Sequence, residues 1–328
     1  MSPVDNGRAA PLADAAAAVV ARDLRRSFGS VWAVDGVDLS VARNEIYGFL
    51  GPNGAGKSTV VRMLCTLLRP TSGRAAVAGH DVVDEPQAVR VRIGVALQEA
   101  ALDDLQTGRE LLRLQGRLFG LTSAQIDRRV DDVLSLVDIG DAIDRRVGGY
   151  SGGMKRRLDL AMALIHNPDI LFLDEPTTGL DPASRTTVWG EVSRLNRELG
   201  MTIFLTTQYL EEADVLAHRV GIINRGRLVA EGTPQSLKRS IADDVIVAEV
   251  AGDGAGVLAD LGRLAGVRSV SKEGDEITLR VSDGPALLSP VALALAGTAL
   301  EVLSITLRTP TLDDVFLELT GDRIEAAG

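Results

Sequence analysis

Short runs of apolar residues, bounded by turn residues, recur along the first two thirds of the chain and predict strands. The predicted strands are Val19–Leu24, Val37–Val41, Glu45–Leu50, one starting near Ala75, Ile170–Leu173 and Thr202–Leu205. The apolar stretch Ser58–Leu68 predicts a buried helix. Because the later runs are apolar at every position, we expect them to form a parallel sheet that helices cover on both faces.

Between about residue 100 and residue 165 the apolar positions follow a helical period instead. In 123–137 they fall at i, i+4, i+7, i+8 and i+11, which is one face of a helix. Ser123 or Thr122 is the expected N-cap of that helix. A further helix is expected over Met154–Ile165, so this region is interpreted as a helical subdomain inserted into an α/β core.

Near residue 235 the pattern changes again, and a small α+β module is predicted. Its elements are strand 245–250, helix 254–264, strands 267–272 and 276–281, helix 284–296, strand 301–307 and a last helix over Leu312–Leu319. The order βαββαβ is that of a split-βαβ, ferredoxin-like module.

One segment between a predicted strand and a predicted helix matches the phosphate-loop pattern G-x-x-x-x-G-K-[ST]. A strand, a glycine-rich turn and a helix N-terminus aim backbone N–H groups at one point, which suits the phosphates of a nucleotide. Lys57 is expected to reach the β- and γ-phosphates, and Ser58 to ligate Mg²⁺. The predicted nucleotide-binding residues are Gly51, Pro52, Asn53, Gly54, Ala55, Gly56, Lys57, Ser58 and Thr59.

Two carboxylates, Asp174 and Glu175, follow the predicted strand Ile170–Leu173 directly. Burying ionised carboxylates without partners is costly, so both are expected at the carboxyl end of the strand, where open α/β sheets bind ligands. Asp174 is predicted to hold Mg²⁺ and Glu175 to orient and polarise the attacking water.

A second anion site is predicted where Ser151, Gly152 and Gly153 open a helix. One nucleotide cannot obviously occupy both this site and the phosphate loop of the same chain. We therefore expect a two-fold dimer in which each chain closes its Ser151–Gly153 segment over the nucleotide of the other.

The segments GPNGAGKST, YSGGM, ILFLDEP and Gly179-Leu180-Asp181, in this order and spacing, resemble the nucleotide-binding subunits of ABC transporters over residues 18–235. YSGGM, the run TTQYLEEAD (206–214) and the tail PTLDDVFLELTG (310–321) resemble, more narrowly, the daunorubicin-resistance-type drug-export ATPases.

The resemblance implies an α/β P-loop NTPase fold, an ABC cassette with a mixed sheet core and a helical subdomain. Residues 1–16 are small, polar and proline-containing, which predicts a disordered tail. The domains are then expected to be a nucleotide-binding domain (17–235) and a C-terminal accessory or regulatory domain (240–328). The resemblance further implies an ATPase with ATP and Mg²⁺ as ligands, a separate transmembrane permease as partner, and a peripheral position on the cytoplasmic face of the membrane. Two copies of the chain, or one copy and a related chain, would pair and power the export of hydrophobic drugs, antibiotics or lipids.

Four further site residues follow from the resemblance alone. Phe28 stands where the family places an aromatic ring that stacks on adenine; the residue could also be a core aromatic at a strand end. Gln98 matches a glutamine that contacts Mg²⁺ or the lytic water, and Asp181 a loop acid that crosses the dimer interface. Gln208 replaces the usual histidine near the γ-phosphate. Its amide can donate a hydrogen bond but cannot titrate near neutral pH, so it is interpreted as a neutral γ-phosphate sensor.

The composition of the chain indicates which classes of partner and which cellular compartment to expect. A net charge of −10, a pI near 4.9 and 3% aromatic residues argue against nucleic-acid binding. The single cysteine, Cys65, excludes a disulfide framework. The sequence contains no run of about 20 apolar residues, so no transmembrane helix is predicted. The first residues do not resemble a signal peptide. We expect a cytoplasmic chain whose membrane spans would come from other polypeptides.

Two alternative functions stay open at this point. A soluble ABC ATPase of the translation-factor or DNA-repair type would have no membrane partner, but these types have tandem cassettes, coiled-coil insertions or zinc motifs that this chain lacks. A P-loop kinase or small GTPase would share the phosphate loop, but neither class explains the helix start at Ser151–Gly153.

Overall fold

The computed structural model describes residues 17–97, 102–252, 257–298 and 300–321. The chain divides into two compact units between Thr233 and Pro234. The tail predicted for residues 1–16 lies outside the described residues, and the domain boundaries at 235 and 240 stay a prediction.

The N-terminal unit alternates strands and helices as the apolar runs predict. Its strands are β1 (Ala17–Phe28), β2 (Val31–Ala42), β3 (Ile46–Leu50), β4 (Ser72–Val77), β5 (His80–Asp81), β6 (Ile93–Ala96), β7 (Ile170–Asp174), β8 (Thr202–Thr207), β9 (Arg219–Asn224) and β10 (Arg227–Gly232). Its helices are α1 (Lys57–Leu64), α2 (Pro86–Arg90), α3 (Gly108–Leu118), α4 (Ser123–Leu136), α5 (Gly152–Leu164), α6 (Pro182–Leu199) and α7 (Leu210–Leu216). Two short 3₁₀ turns, Gly140–Asp144 and Val147–Gly149, precede α5.

Two sheets form this unit. The larger has the order β10-β9-β3-β8-β7-β6, in which all neighbours are parallel except the edge strand β10. The smaller, β2-β1-β4-β5, is antiparallel. All residues of β3, β7 and β8 are buried, as expected for parallel strands covered on both faces. The predicted mixed α/β core is therefore confirmed.

Apolar clusters fill both faces of the larger sheet. One cluster, with Phe49, Phe172 and Phe204, packs α1 and the smaller sheet against it. The other joins the opposite face to α3, α4, α5 and α6. The helical subdomain expected near residues 100–165 thus rests on the face away from the smaller sheet.

The helix after the phosphate loop is shorter than predicted. It ends at Leu64 rather than Leu68 because Thr66 adopts a left-handed backbone, with φ 61°. The Leu67 N–H donates to the Arg62 carbonyl and the Thr66 N–H to the Met63 carbonyl. This is the Schellman end of a helix with threonine where glycine is usual, so the sequence carried no warning of it.

Helix α4 is the predicted amphipathic helix, and the choice of N-cap is resolved in favour of Thr122. The Thr122 hydroxyl accepts from the Gln125 N–H, and the Gln125 side chain accepts from the Thr122 N–H, a reciprocal capping box. The helix predicted over Met154–Ile165 begins two residues earlier, at Gly152, because Ser151 caps it.

The C-terminal unit starts with α8 (Pro234–Ile241) and has the predicted βαββαβ order. The remaining elements are β11 (Asp244–Ala251), α9 (Val257–Gly262), β12 (Val267–Glu273), β13 (Glu276–Val281), α10 (Gly284–Ala296), β14 (Glu301–Arg308) and α11 (Leu312–Thr320). The antiparallel sheet runs β12-β13-β11-β14 and shares an apolar core with α9 and α10. Among the described residues of both units, no helix is long and apolar enough to cross a bilayer.

One close contact in the N-terminal unit predicts a large effect on stability. A methyl group at Gly94, in β6, would stand 2.3 Å from the Ala163 carbonyl oxygen of α5. We expect Gly94→Ala to destabilise the unit by about 1–3 kcal/mol through the forced backbone shift. At Gly190, on α6, a methyl group meets nothing within 4 Å, so Gly190→Ala should stabilise by about 0.5–1 kcal/mol. Urea unfolding followed by tryptophan fluorescence measures both, because Trp32 and Trp189 lie in this unit; equal effects would contradict the packing.

Buried Glu191 predicts a pH dependence of stability. Burial raises the pKa of its carboxyl from 4.5 to about 7, and nearby Arg157 and Arg194 only partly oppose this. The folded chain therefore keeps a proton that the unfolded chain has lost, and stability falls as the pH rises from 4.5 to about 7.

Glutamine cannot ionise, so Glu191→Gln should escape that loss. Its stability advantage over the unmodified chain is expected to grow by about 2 kcal/mol between about pH 5.5 and about pH 8. Urea midpoints at the two pH values check this. An advantage that is the same at both values would show that Glu191 is not held protonated by burial.

Candidate functional site

The phosphate loop joins β3 to α1 and depends on its glycines. A Cβ atom at Gly51 would lie 2.4 Å from the Ile223 carbonyl oxygen. At Gly56, where φ is 108°, it would lie 2.4 Å from the Ala33 carbonyl oxygen. Gly54 has φ 77° and open space around it. Only glycine meets all three requirements, so the loop is held close to β2 and β9 in one shape.

The first turn of α1 is open to a ligand. Gly56 is its N-cap and supplies no side-chain acceptor, so among the described residues no side chain caps the helix. Thr59 lies in that turn, and Pro52, Asn53 and Ala55 lie in the loop before it. Uncapped N–H groups at a helix start are the groups that bind phosphate oxygens.

Lys57 is almost fully buried, with 4% of its surface exposed. Its Nζ donates to the carbonyls of Gly51, at 2.8 Å, and Pro52, at 3.1 Å, and pairs with Glu175 Oε1 at 3.0 Å. The ammonium group therefore stays beside the loop that carries it and touches the carboxylate predicted to act on water.

Asp174 ends β7, opposite Thr206 of β8. Its Oδ1 accepts from the Thr206 hydroxyl at 2.5 Å and from the Ser58 hydroxyl at 3.3 Å. A serine hydroxyl beside a carboxylate is the hard-oxygen pair that Mg²⁺ takes in phosphate sites, so the residues present fit the ion.

Glu175 adopts an unusual backbone conformation, with φ 49°. Its N–H donates to the Thr206 carbonyl at 3.1 Å and lies 3.0 Å from the Thr206 hydroxyl oxygen. Thr178 Oγ1 donates to Glu175 Oε2 at 3.3 Å. A left-handed glutamate is costly and persists only where surrounding contacts hold it, which is typical of functional sites.

Gln208 follows β8 and is buried. Thr207, before it, is opposite Leu50 of β3, and Thr206 is opposite Asp174. Because the three strands are parallel and in this register, Gly51, Glu175 and Gln208 leave the same edge of the sheet. The structure thus brings the phosphate loop, both carboxylates and the neutral amide to one edge.

Phe28 ends β1 with 50% of its surface exposed, and the Arg26 guanidinium lies 4.7 Å from its ring centre. It is not a core aromatic, and its free face suits a planar ligand. Gln98 lies outside the described residues, so its role stays a prediction.

Ser151, Gly153 and Asp181 form a second surface. Ser151 caps α5 and accepts from the Met154 N–H. Asp181 caps α6 and accepts from the Ser184 N–H at 3.0 Å and its hydroxyl at 2.6 Å, which lower the pKa of Asp181. A Cβ atom at Gly153 would lie 3.0 Å from Ser184 Oγ, so glycine permits the two helix starts to meet.

This second surface is not hydrogen-bonded to the phosphate loop among the described residues. In the part of the chain that the structure describes, Ser151 and Asp181 make no hydrogen bond or ion pair with loop residues 51–58. Ser151 and Gly152 are exposed.

Two residues beside the site, the buried Thr206 and the half-buried Arg156, were not predicted from the sequence. Thr206 donates its hydroxyl to Asp174 and accepts from the Glu175 N–H. The sequence around it, TIFLTT, is typical of any buried strand and gave no sign of these contacts. Arg156 donates to the carbonyls of Leu97 and Pro176 and, at 3.3 Å, to that of Asp174. Because Arg156 stands between Lys155 and Arg157 in α5, nothing in the sequence set it apart.

The sequence matches the family model "ABC transporter" over residues 34–178 and the model "ATP-binding protein DrrA1-3-like, C-terminal domain" over residues 232–320. It is 48% identical over 308 residues to the daunorubicin resistance ATP-binding protein DrrA3 of Streptomyces coeruleorubidus, covering 93% of this chain and 96% of that one. It is 40% identical over 303 residues to the Nod factor export ATP-binding protein I of Rhizobium sp. (strain N33), covering 92% and 96%.

The fold agrees with a solved structure. CbiO1 of Clostridium perfringens, part of the ABC transporter complex CbiONQ, superposes with a TM-score of 0.63 at 26% identity, over 68% of this chain and 90% of that one. Together with the phosphate loop and the carboxylates at the end of β7, these likenesses show that the chain belongs to the ATP-hydrolysing, ATP-binding subunits of ABC transporters, in the daunorubicin-resistance type.

Proposed function

We propose that two copies of this chain enclose Mg·ATP between the phosphate loop of one copy and the Ser151–Gly153 helix start of the other. The observation that carries this proposal is the arrangement of two phosphate-sized surfaces that share no hydrogen bond among the described residues. The start of α1 has no side-chain cap among the described residues, and Asp181 lies beside the start of α5 through Ser184. A two-fold pair supplies both surfaces to each of two nucleotides.

Residues of the loop bind and orient the triphosphate. The N–H groups at the start of α1 and the Lys57 ammonium take the phosphate oxygens, and Phe28 offers its exposed ring to the adenine. Ser58 and Asp174, with Gln98 as the resemblance implies, would hold Mg²⁺, which neutralises phosphate charge when bound. Catalysis is then mainly positioning and charge stabilisation.

Lys57 and Glu175 pair at 3.0 Å, and this contact supports a sequence of events. Triphosphate oxygens compete for the Lys57 ammonium and release the Glu175 carboxylate. The contacts with Thr206 and Thr178 hold Glu175 in place. Glu175 then accepts a proton from the attacking water. Gln208 donates a neutral hydrogen bond to the γ-phosphate and takes no part in proton transfer.

The coupled process is export across a membrane. Relatives are named for daunorubicin resistance and for Nod factor export, which supports a hydrophobic small molecule or lipid-like cargo that a separate permease carries. The chain would then bind that permease at the cytoplasmic face of the membrane. Isolating it from detergent-solubilised membranes and identifying the polypeptides that accompany it tests this part. Purification with ribosomes instead would favour the alternative of an ABC ATPase without a membrane partner.

Removing the proposed base tests the catalytic assignment. Glu175→Gln should bind ATP with affinity near that of the unmodified chain and lose about 100- to 10,000-fold in turnover, since the amide cannot accept the proton. The matched control is Glu198→Gln on the exposed side of α6, which should keep full turnover. ATP hydrolysis and binding of a fluorescent ATP analogue are measured in parallel. Normal turnover by Glu175→Gln would remove the residue from its role.

Mixing inactive variants tests whether the site is shared between chains. Lys57→Ala damages the loop side and Ser151→Glu the opposite side, so each alone should be inactive. A mixed dimer has one intact site, and an equal mixture should recover roughly a quarter of the normal activity.

The control mixture combines Lys57→Ala with Glu175→Gln, which both damage the loop side. It should recover nothing, because every mixed site keeps one lesion. Equal recovery in the two mixtures, or none in the first, would contradict a site shared in this way.

A further inference from the structure

We propose that Glu212 is a positioning residue that holds the segments carrying Glu175, Asp181 and Gln208 in one arrangement. The inference rests on the proposed function, which gives those three residues their roles. Glu212 lies in α7 and is fully buried, with 0% of its surface exposed.

One oxygen of Glu212 joins two of these segments. Oε1 accepts from Thr177 Oγ1 at 2.9 Å and from Trp189 Nε1 at 3.0 Å. Thr177 stands two residues after Glu175, in the loop that leads to Asp181. Trp189 lies in α6, which Asp181 caps. The Glu212 carboxylate therefore bridges the loop, through Thr177, and helix α6, through Trp189.

The third segment is the one that contains Glu212 itself. Helix α7 begins two residues after Gln208. A second contact fixes the same connection, because the Arg185 guanidinium lies 4.4 Å from the centre of the Tyr209 ring. Arg185 and Trp189 are four residues apart and so share one face of α6. Two contacts from that face thus hold the segment after β8.

The chemistry of the residue favours positioning over simple packing. Burial raises the pKa of the Glu212 carboxyl, and the side chains of Thr207, Thr177 and Trp189 oppose this rise. A leucine of similar size would leave the Thr177 hydroxyl and the Trp189 N–H without an acceptor. A buried polar group whose partners come from several segments specifies one arrangement of those segments.

Loss of Glu212 should therefore affect turnover and leave nucleotide binding intact. The Thr177 bond lies two residues from the proposed base, so its loss displaces Glu175. Among the described residues, Lys57 and the start of α1 share no hydrogen bond or ion pair with Glu212. They should therefore still bind the phosphates when Glu212 is replaced.

Full-length variants test this with ATP hydrolysis and binding of a fluorescent ATP analogue. Glu212→Leu should lower kcat by about 10- to 100-fold while KM and analogue affinity change by about twofold at most. Glu212→Gln keeps an oxygen acceptor and should retain most of the turnover. The matched control is Glu211→Leu, at the exposed neighbouring position, which should behave as the unmodified chain.

A pair of changes tests the link itself. Thr177→Val removes the hydroxyl at constant shape and should also lower kcat. Combined with Glu212→Leu it should add little, because both remove the same bond.

The proposal is overturned if Glu212→Leu keeps full kcat, if Glu212→Gln loses as much as Glu212→Leu, or if the two losses multiply. Should Glu212→Leu fail to bind the analogue through misfolding, an unchanged kcat in Thr177→Val overturns it as well. Failure of the proposed function looks different: Glu175→Gln would then hydrolyse ATP normally, whatever the Glu212 variants do.

Discussion

Nearly complete burial of three charged side chains at one edge of the sheet is the constraint on which the site depends. Lys57, Asp174 and Glu175 are 4%, 2% and 7% exposed. Buried charges without partners are expensive, so the loop, β7 and β8 must stand in the register that supplies those partners. Pairing of Asp174 with Thr206 across the strands meets that need. The same register that completes the core therefore brings together the groups to which the proposed function assigns catalysis.

The partners of these charges are ones that a triphosphate can replace. Lys57 is held by two loop carbonyls and by Glu175, and phosphate oxygens are stronger competitors for an ammonium than carbonyls. Thr206 and Thr178 also contact Glu175, the first at its backbone N–H and the second at its carboxylate. Because Gln208 cannot titrate near neutral pH, the proposed mechanism assigns proton transfer to Glu175 alone. The proposed role of Glu212 is to hold the segment that carries Glu175 in place.

Local patterns predicted most of this fold, and long-range contacts account for what they missed. The phosphate loop, the carboxylates after Ile170–Leu173 and the βαββαβ order all depend on neighbours in sequence, and all are present. By contrast, Thr206 gains its role only from strand pairing, and Glu212 only from residues 23 and 35 positions away. The left-handed end of α1 at Thr66 was missed because threonine rarely takes that conformation. The closeness of Gly153 to Ser184 likewise follows from helix packing.

The central claim is that two copies close over nucleotide, each completing the other's site. The most direct test is the molar mass of Glu175→Gln in solution, measured by light scattering with and without Mg·ATP. Glu175→Gln should change from a monomer to a dimer when Mg·ATP is added, with one nucleotide retained per chain. A variant that binds Mg·ATP tightly and stays monomeric would contradict the claim.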